Sequence, residues 1–466
     1  MSNIIPGITI NLKSNIPTGL GIGARGVAVT PYPLNWGKEN ELIEVFSTDL
    51  TDGRSLAKIG MTGFDKEAFG FSLMASNCSK IYVMRSDLGG NKAKAMITES
   101  GDHVLEATAK YTGVLGNQIQ IQINVFGDKF EILTFVRNQQ RDRQLISTLE
   151  DLQNNSFVDF RVRNIYEEEP PYMPDEPEEP PYEPEEPYNL RSFTLKPIAG
   201  MFLSGGANGQ INETELYPKM FKLTQTKRFN TIAVPTKNEA VKKQALIFAT
   251  EQRNSNKFIQ AIIPDFRADS EAVISINQET YINDRVLTKD DMTYWVAGAT
   301  AGASLVDSLT ANTLNGVTDI VEPLDKRDLE ENITNGFLSF SAKQNGQIMV
   351  TRDINTLTTF GQEKSREFSK NKVLRVIDTI LTDIVDLWQN NYMGTVANNE
   401  QGRALLKADI CGYLIRVEDL GAIREFNPEL HATVNMGERI EDVEMGISIK
   451  PVDSMEFLNF TLIVSK

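Results

Sequence analysis

The sequence predicts a mixed α/β (α+β) multidomain protein: a discontinuous α/β body, an inserted β-rich domain, and extended β arms at both ends. Three observations carry this. Strand and helix patterns of crossover length stand on both sides of residues 97–200. That middle stretch turns to strict apolar–polar alternation. Both chain ends alternate with a period of two: Ile8, Ile10 and Leu12 against Thr9, Asn11 and Lys13, then Leu458, Phe460, Leu462 and Val464 against Asn459, Thr461 and Ile463. A strand at a chain tip frays unless it pairs with a sheet edge, its own or a neighbour's. Pairing with neighbours builds an assembly.

The elements follow in order. Residues 1–25 are an arm and linker. Residues 26–96 form a first α/β part, with strands at Gly26–Val29, Leu42–Phe46 and Ile81–Met84 and a helix at Ala68–Ala75. Residues 97–200 form the insert. Ile119, Ile121, Ile123 and Val125 alternate with Gln120, Gln122 and Asn124, and a turn at Gly127-Asp128 leads to a second strand, Phe130–Val136. Leu145, Leu149 and Leu152 are spaced for a short amphipathic helix. Residues 201–345 return to α/β, with a strand at Thr231–Val234, a helix at Glu239–Gln252 and strands at Phe258–Ile263 and Val273–Ile276. The small residues Ala297 to Gly302 suit a closely packed helix. In residues 346–466, Ile377, Ile380, Leu381, Ile384, Leu387 and Trp388 form a helical stripe, with Lys372, Arg375, Asp378 and Asp383 off it. A second helix spans Gly402–Glu418, then a strand carries Val443, Met445, Ile447 and Ile449, and the terminal strand follows Pro451.

Composition narrows the function classes. A chain of 466 residues holds roughly three domains, and 41% hydrophobic residues supply real cores. The net charge of −16 argues against nonspecific nucleic-acid binding. Ten of those acidic charges lie in Glu167–Pro187, which has no basic residue, so the rest of the chain stands near −6. That segment repeats Pro-Pro-Tyr at Pro170 and Pro180 and holds eight prolines, the composition of an extended solvated loop (165–189). Cys78 and Cys411 lie far apart, as in a reducing compartment. The start lacks a signal-peptide pattern and no apolar run approaches the ~20 residues that span a bilayer. The expectation is a soluble protein made in the cytoplasm, without membrane insertion.

Motifs for chemistry are weak. Gly21, Gly23 and Gly26 match G-x-G-x-x-G, but they precede a strand, and Pro31 and Pro33 forbid the helix that a dinucleotide site requires. Leu203–Gly209 is Gly-rich without a phosphate-binding lysine and reads as turn or hinge. There is no G-x-S-x-G elbow. His103 and His431 stand in no metal-ligand spacing. No catalytic, cofactor or metal residue is assigned. A nucleotide-cofactor α/β enzyme and a surface adhesin or S-layer-like protein remain alternative readings, the latter against the missing export signal.

Several phrases occur together in order: Asn35-Trp36-Gly37; Ala109 to Asn117; Leu203-Ser204-Gly205-Gly206-Ala207-Asn208-Gly209; Ala297 to Gly302; Arg352-Asp353-Ile354-Asn355-Thr356-Leu357; Asn398 to Arg403; and Pro451-Val452-Asp453-Ser454-Met455-Glu456. The chain in this respect resembles the sheath protein of contractile phage tails, in particular the shorter sheaths of phages and phage-tail-like bacteriocins of Gram-positive bacteria. The resemblance implies a homo-oligomer of stacked hexameric rings around an inner tube, with baseplate and tail terminator proteins as further partners. It implies a sheath that contracts and drives the tube through a bacterial envelope. It also implies that both arms add strands to neighbours' sheets, that the discontinuous body divides into inner and middle domains with the chain-terminal regions in the inner one, and that the inserted β-rich domain is the outer one. On that reading Ile8, Ile10, Leu12, Leu458, Phe460, Leu462 and Val464 are inter-subunit contacts. Lys372 and Arg375, on the free polar face of the helix, are tube-facing. Gly19, Gly21, Gly23 and Gly26 are hinges, as is the stretch before Glu456.

Removing Glu167–Pro187 is expected to leave assembly intact, because its charge and proline content cannot support a packed core. Electron microscopy of the deletion variant checks this. Loss of sheath formation gives the segment a structural role.

Overall fold

The computed structural model describes residues 25–101, 103–164, 193–362 and 364–464. The chain divides into two compact units: Val27–Arg228, and Phe229 onward together with Arg25 and Gly26.

The first unit opens with β1 (Val27–Tyr32), β2 (Leu42–Phe46), α1 (Phe69–Ala75) and β3 (Lys80–Arg85). β3 pairs parallel with β1 and antiparallel with β2. β1 and β3 are buried almost throughout, which is why each reads as a continuous apolar run rather than an alternation. The insert follows as two antiparallel sheets. β4 (Lys94–Ser100), β5 (His103–Ala109) and β9 (Val158–Asn164) make one, with β5 central. β6 (Ile119–Phe126), β7 (Lys129–Val136), β8 (Gln139–Ile146) and β10 (Ile198–Phe202) make the other, in the order β10-β6-β7-β8. Ile119, Ile121 and Ile123 enter one core with Ile132, Val136 and Ile146, while Gln120 and Gln122 stay partly wet. The helix expected through Leu145, Leu149 and Leu152 is absent. Leu145 lies in β8 opposite Glu131, and Asp151 accepts the amides of Ser147 and Thr148 to close a single 3-10 turn, Leu149–Asp151. The leucine spacing is split between a strand end and that turn.

Three of the quoted phrases meet in this unit. Trp36 is fully buried; its indole donates to the Ala57 carbonyl at 3.1 Å and its ring meets Tyr111 edge-on at 5.2 Å. Asn208 accepts the Val114 amide at 3.0 Å and donates to Asn35 Oδ1 at 3.1 Å. Asn117 and Gly206 exchange two hydrogen bonds of 2.7 and 2.8 Å. At the end of β3 the buried Arg85 pairs with Asp87 at 2.7 Å and donates to the carbonyls of Thr112 at 2.9 Å and Gly37 at 3.3 Å. Asp87 in turn accepts the Leu34 amide at 2.8 Å. The Gly-rich Leu203–Gly209 segment, read as turn or hinge, is therefore locked into a packed junction. Gly113 shows why: its φ is +124° and a Cβ there would lie 2.1 Å from the Asn35 carbonyl oxygen. α2 (Glu213–Thr224) closes the unit.

The second unit begins with β11 (Thr231–Ala233), α3 (Glu239–Asn254), β12 (Gln260–Pro264) and β13 (Val273–Ile276). The three strands are parallel, β11-β12-β13, and Asn238 caps α3 by accepting the Ala240 amide at 3.0 Å. α4 (Lys289–Gly302) starts at a Thr288/Asp291 capping box, and its small residues are buried, Thr231 reaching the Ala297 carbonyl at 2.9 Å. Then come α5 (Asn371–Leu387), α6 (Glu400–Asp419) and the hairpin β14 (Ala432–Met436) and β15 (Val443–Ile447). Val376, Ile380, Leu387, Ile410, Tyr413, Leu414 and Val417 form their shared core. The terminal strand expected after Pro451 has no ladder partner among the described residues.

Gly113→Ala is expected to destabilise the protein by at least about 2 kcal/mol, from backbone strain plus a clash that carbonyl atoms cannot yield to. Gly412→Ala, in the middle of α6 with only the Arg416 guanidinium 3.8 Å away, is expected to stabilise by up to about 1 kcal/mol. Urea unfolding midpoints of the two variants check the contrast.

Candidate functional site: the root of the C-terminal arm

Helix α5 is amphipathic, but it is buried on its polar face as well as on much of its apolar one. Its polar residues Asn371, Lys372, Arg375, Asp378 and Asp383 are buried, Arg375 to 2% exposure, whereas Leu381 on the apolar stripe is 40% exposed. The polar face packs against backbone and counter-charges. Arg375 donates to the carbonyls of Asp307 at 2.7 Å and Ser304 at 3.3 Å and faces Asp353 at 3.4 Å. Asp353 also accepts from Asn371 Nδ2 at 2.9 Å and from the Leu309 amide at 3.0 Å. Arg253 grips Asp378 with two bonds of 2.8 and 2.7 Å, the bidentate fork that arginine supplies. Tyr413 donates to Asp383 at 2.7 Å, and that bond together with burial raises the phenol's pKa well above its usual value. On the other side, Val373, Ile377, Ile380, Leu381 and Ile384 line an open groove with Ile447, Ile449 and Pro451.

The chain's last residues are fastened beside this helix. Pro451 bridges to Ile423, and the Val452 amide donates to the Ala422 carbonyl at 2.9 Å. Lys372 donates to Ser454 Oγ at 3.1 Å, and Lys370 pairs with Asp453. Glu456, its side chain 7% exposed, receives Lys370 at 3.0 Å, Arg352 at 3.3 Å and the Thr310 hydroxyl at 3.0 Å. The Arg352 guanidinium also lies over the Phe457 ring at 5.6 Å. Past this clamp the chain is bare: Phe460, Leu462 and Val464 are 77, 74 and 82% exposed, and Leu458 likewise. A row of large apolar side chains in water beyond a charged anchor is a surface awaiting a partner.

Of the residues singled out from sequence, Leu458, Phe460, Leu462 and Val464 form that row. Ile8, Ile10, Leu12, Gly19, Gly21 and Gly23 lie outside the described residues. Gly26 has φ +103°, its amide donates to Asn230 Oδ1 at 3.0 Å, and β1 rather than a helix follows it. Lys372 and Arg375 are corrected: neither lies on a free face, because the Asp353 network and the Asp453–Glu456 segment cover them. The stretch before Glu456, expected to bend, is pinned at four residues. Sequence reasoning missed Glu456, Arg352, Lys370 and Thr310 as a clamp, although Arg352-Asp353 and Pro451–Glu456 both stood among the quoted phrases.

The remaining chemistry-bearing groups are quiet. Burial pushes the Cys78 thiol up to about 12, so it stays protonated at neutral pH, and burial raises Cys411 as well. His431 accepts the Asn427 amide at 3.0 Å through Nδ1. Among the described residues no group of three His, Cys, Asp or Glu side chains is arranged to hold a metal ion.

Glu456→Gln is expected to loosen the clamp by about 3 kcal/mol, the order for stranding buried cationic partners, with little change in global melting. Hydrogen exchange of peptides covering 450–464 checks it, since local opening accelerates exchange there alone.

Comparisons with known proteins agree with this geometry. The phage tail sheath protein central domain matches residues 215–356, and the phage tail sheath C-terminal domain matches residues 363–465. The chain is similar to the phage-like element PBSX protein XkdK of Bacillus subtilis, 26% identical over 98% of this chain and 97% of that one. It is similar to the tail sheath protein of Clostridium phage phiCD119, 27% identical over 40% of this chain and 52% of that one. The crystal structure of the sheath tail protein from Desulfitobacterium hafniense superposes with a TM-score of 0.76 at 29% identity, covering 96% of this chain and 97% of that chain. The two domain matches together cover about half of the sequence, both contain residues of the Glu456 clamp, and the fold extends the likeness to nearly the whole chain. The chain belongs to the phage tail sheath family: it is a structural subunit of a contractile tail sheath.

Proposed function

We propose that this subunit polymerises as stacked hexameric rings around an inner tube, and that the sheath shortens to drive the tube through a bacterial envelope. One observation supports it above the rest: the apolar row after Glu456 is exposed, while Pro451 to Ser454 and Glu456 are fastened. An arm with a fixed root and an unpaired apolar edge fits addition to a neighbour's sheet. Among the described residues the β14–β15 hairpin pairs with no third strand, and its Ile447 lines the groove of α5. A second copy's arm would cover both, and residues 1–16 would do the same from the other end. Glycines 19, 21, 23 and 26 serve as the compliant link.

In this reading the chain ends and residues 346–466 form the inner domain, residues 26–96 and 201–345 the middle one, and residues 97–200 face outward. The subunit is made in the host cytoplasm and ends in a virion or tail-like particle. Its partners are the tube protein, the baseplate and the terminator. Its work is mechanical, with no catalytic step. The burial of Lys372 and Arg375 speaks against them as tube contacts.

Replacing Phe460 and Leu462 by Asp, or removing residues 1–14, is expected to give a folded, soluble subunit that forms no sheath in electron micrographs. Normal contractile sheaths from either variant would refute the arm reading. Thiol labelling gives an independent check on the fold: Cys78 is expected to stay unmodified at pH 8 until the protein unfolds.

A further inference from the structure

Far from either arm, the turn between β7 and β8 grips a loop of the first α/β part. Val136 and Gln139 are joined by Arg137 and Asn138, at φ +53° and +60°. A two-residue turn of this kind needs left-handed backbone at both positions and favours Asn-Gly. An arginine there is strained, and its side chain is committed elsewhere. Nη1 donates to both carboxylate oxygens of Asp65 at 2.8 Å, Nη2 to the Gly60 carbonyl at 3.0 Å, and Nε to Gln118 Oε1 at 3.1 Å. Every nitrogen of the guanidinium has an acceptor. Asp65 also accepts the Thr62 amide at 2.7 Å, the Gly63 amide donates to the Leu50 carbonyl at 3.1 Å, and Met61 is fully buried. The loop from Gly60 to Asp65 is thus fixed on both sides of its tip. The tip is Phe64, 87% exposed, the most exposed large apolar side chain ahead of Met455 among the described residues.

We propose that Phe64 is an assembly contact: an aromatic anchor, held out by Arg137, that enters a surface of a second copy of this chain. Single apolar side chains on a surface are ordinary; the mount is what sets this one apart. A loop tip carrying small or polar residues loses nothing by moving. This tip carries a large ring, and a guanidinium that reaches across more than 70 residues of sequence keeps the ring from folding back. An anchor ordered in advance loses little further freedom on binding, and buried aromatic anchors dominate interface energies. The second copy follows from the family, since a sheath subunit works in a polymer of itself. One ring on a projecting tip suits a heterologous contact, in which each copy offers its knob to a different surface of the next, and such contacts run on into rings or helices. The partner rests on the sheath reading; the mount does not.

Hydroxyl-radical footprinting reads the contact directly. Phe64 is expected to be oxidised readily in the free subunit and several-fold more slowly in assembled sheaths. Protection already present in the free subunit, or equal oxidation in free, extended and contracted forms, overturns the proposal. Phe64→Ser is expected to leave the urea midpoint unchanged and to raise the subunit concentration needed for sheath growth at least about tenfold, with Phe64→Leu in between; growth at the wild-type concentration overturns it. Arg137→Asn keeps a residue that suits the turn and removes the guanidinium. If Arg137 mounts the anchor, hydrogen exchange of residues 62–66 quickens several-fold and sheath growth weakens as in Phe64→Ser. Unchanged exchange overturns the mount. A wild-type chain that forms no polymer refutes the sheath reading itself, an outcome distinct from normal polymer made by the Phe64 variants, which refutes only this contact.

Discussion

Asp353 carries its charge where water scarcely reaches it, 2% exposed. An ionised carboxylate in that position costs several kcal/mol unless every lone pair is met. Here it is met by three groups from two elements: Arg375 and Asn371 from α5 and the Leu309 amide from the loop after α4. Asn371 then reaches Gln260 in β12 at 3.0 Å. The carboxylate thus fixes the rotation of α5, and that rotation decides what the helix shows to its surroundings. With the polar face committed to Asp353, Ile380 and Leu387 pack into the core shared with α6, and Ile377, Leu381 and Ile384 are left to line the groove. With Arg352 next in sequence to Asp353, the guanidinium that clamps Glu456 is delivered to the same place. The mount of the C-terminal arm is a by-product of satisfying one buried charge.

This explains why α5 misled a reading by periodicity. Its hydrophobic stripe was legible, and so was its extent to within a few residues. A stripe tells which residues share a face; it does not tell which face is buried. The usual inference sends the apolar side inward and leaves Lys372 and Arg375 in water. It fails when a buried acid lies on the polar side, and no pattern in Lys372, Arg375, Asp378 and Asp383 alone announces Asp353. The strands were more legible. β1, β3, β12 and β13 are short apolar runs bounded by turn residues, and β6 and β7 alternate cleanly. The segment around Leu145 was not, because three leucines at helical spacing fit a strand end followed by a turn equally well. The apolar row at Leu458–Val464 was visible from its alternation. Its clamp was not, because Glu456 meets Lys370 and Arg352 only after more than 80 residues of chain have folded back.

The first unit shows a different use of the same logic. Arg85 is as deeply buried as any side chain in the protein, and it is satisfied almost entirely by backbone carbonyls and one aspartate. Those carbonyls come from the Trp36 and Gly113 segments, which the chain must bring within van der Waals contact of Asn208 and its glycines. Glycine-rich stretches that look like flexible joints or phosphate loops are here the places where three backbones approach too closely for a side chain. Composition alone cannot separate these uses of glycine. Contact across 90 or more residues can.

If a neighbour's sheet seals it, as proposed above, the bare row beyond Glu456 also sets the terms on which free subunits coexist with polymer. Each large apolar side chain sealed on assembly contributes on the order of 1.5–3 kcal/mol, and every 1.4 kcal/mol changes an association constant about tenfold. A linear or helical polymer has a critical concentration below which it does not grow, and that concentration is the reciprocal of the constant for adding one subunit. The identity of a single tail residue therefore moves the threshold by about one to two orders of magnitude. Growth of a sheath becomes a property tuned by a few positions in an eight-residue stretch, adjustable without touching either folded unit.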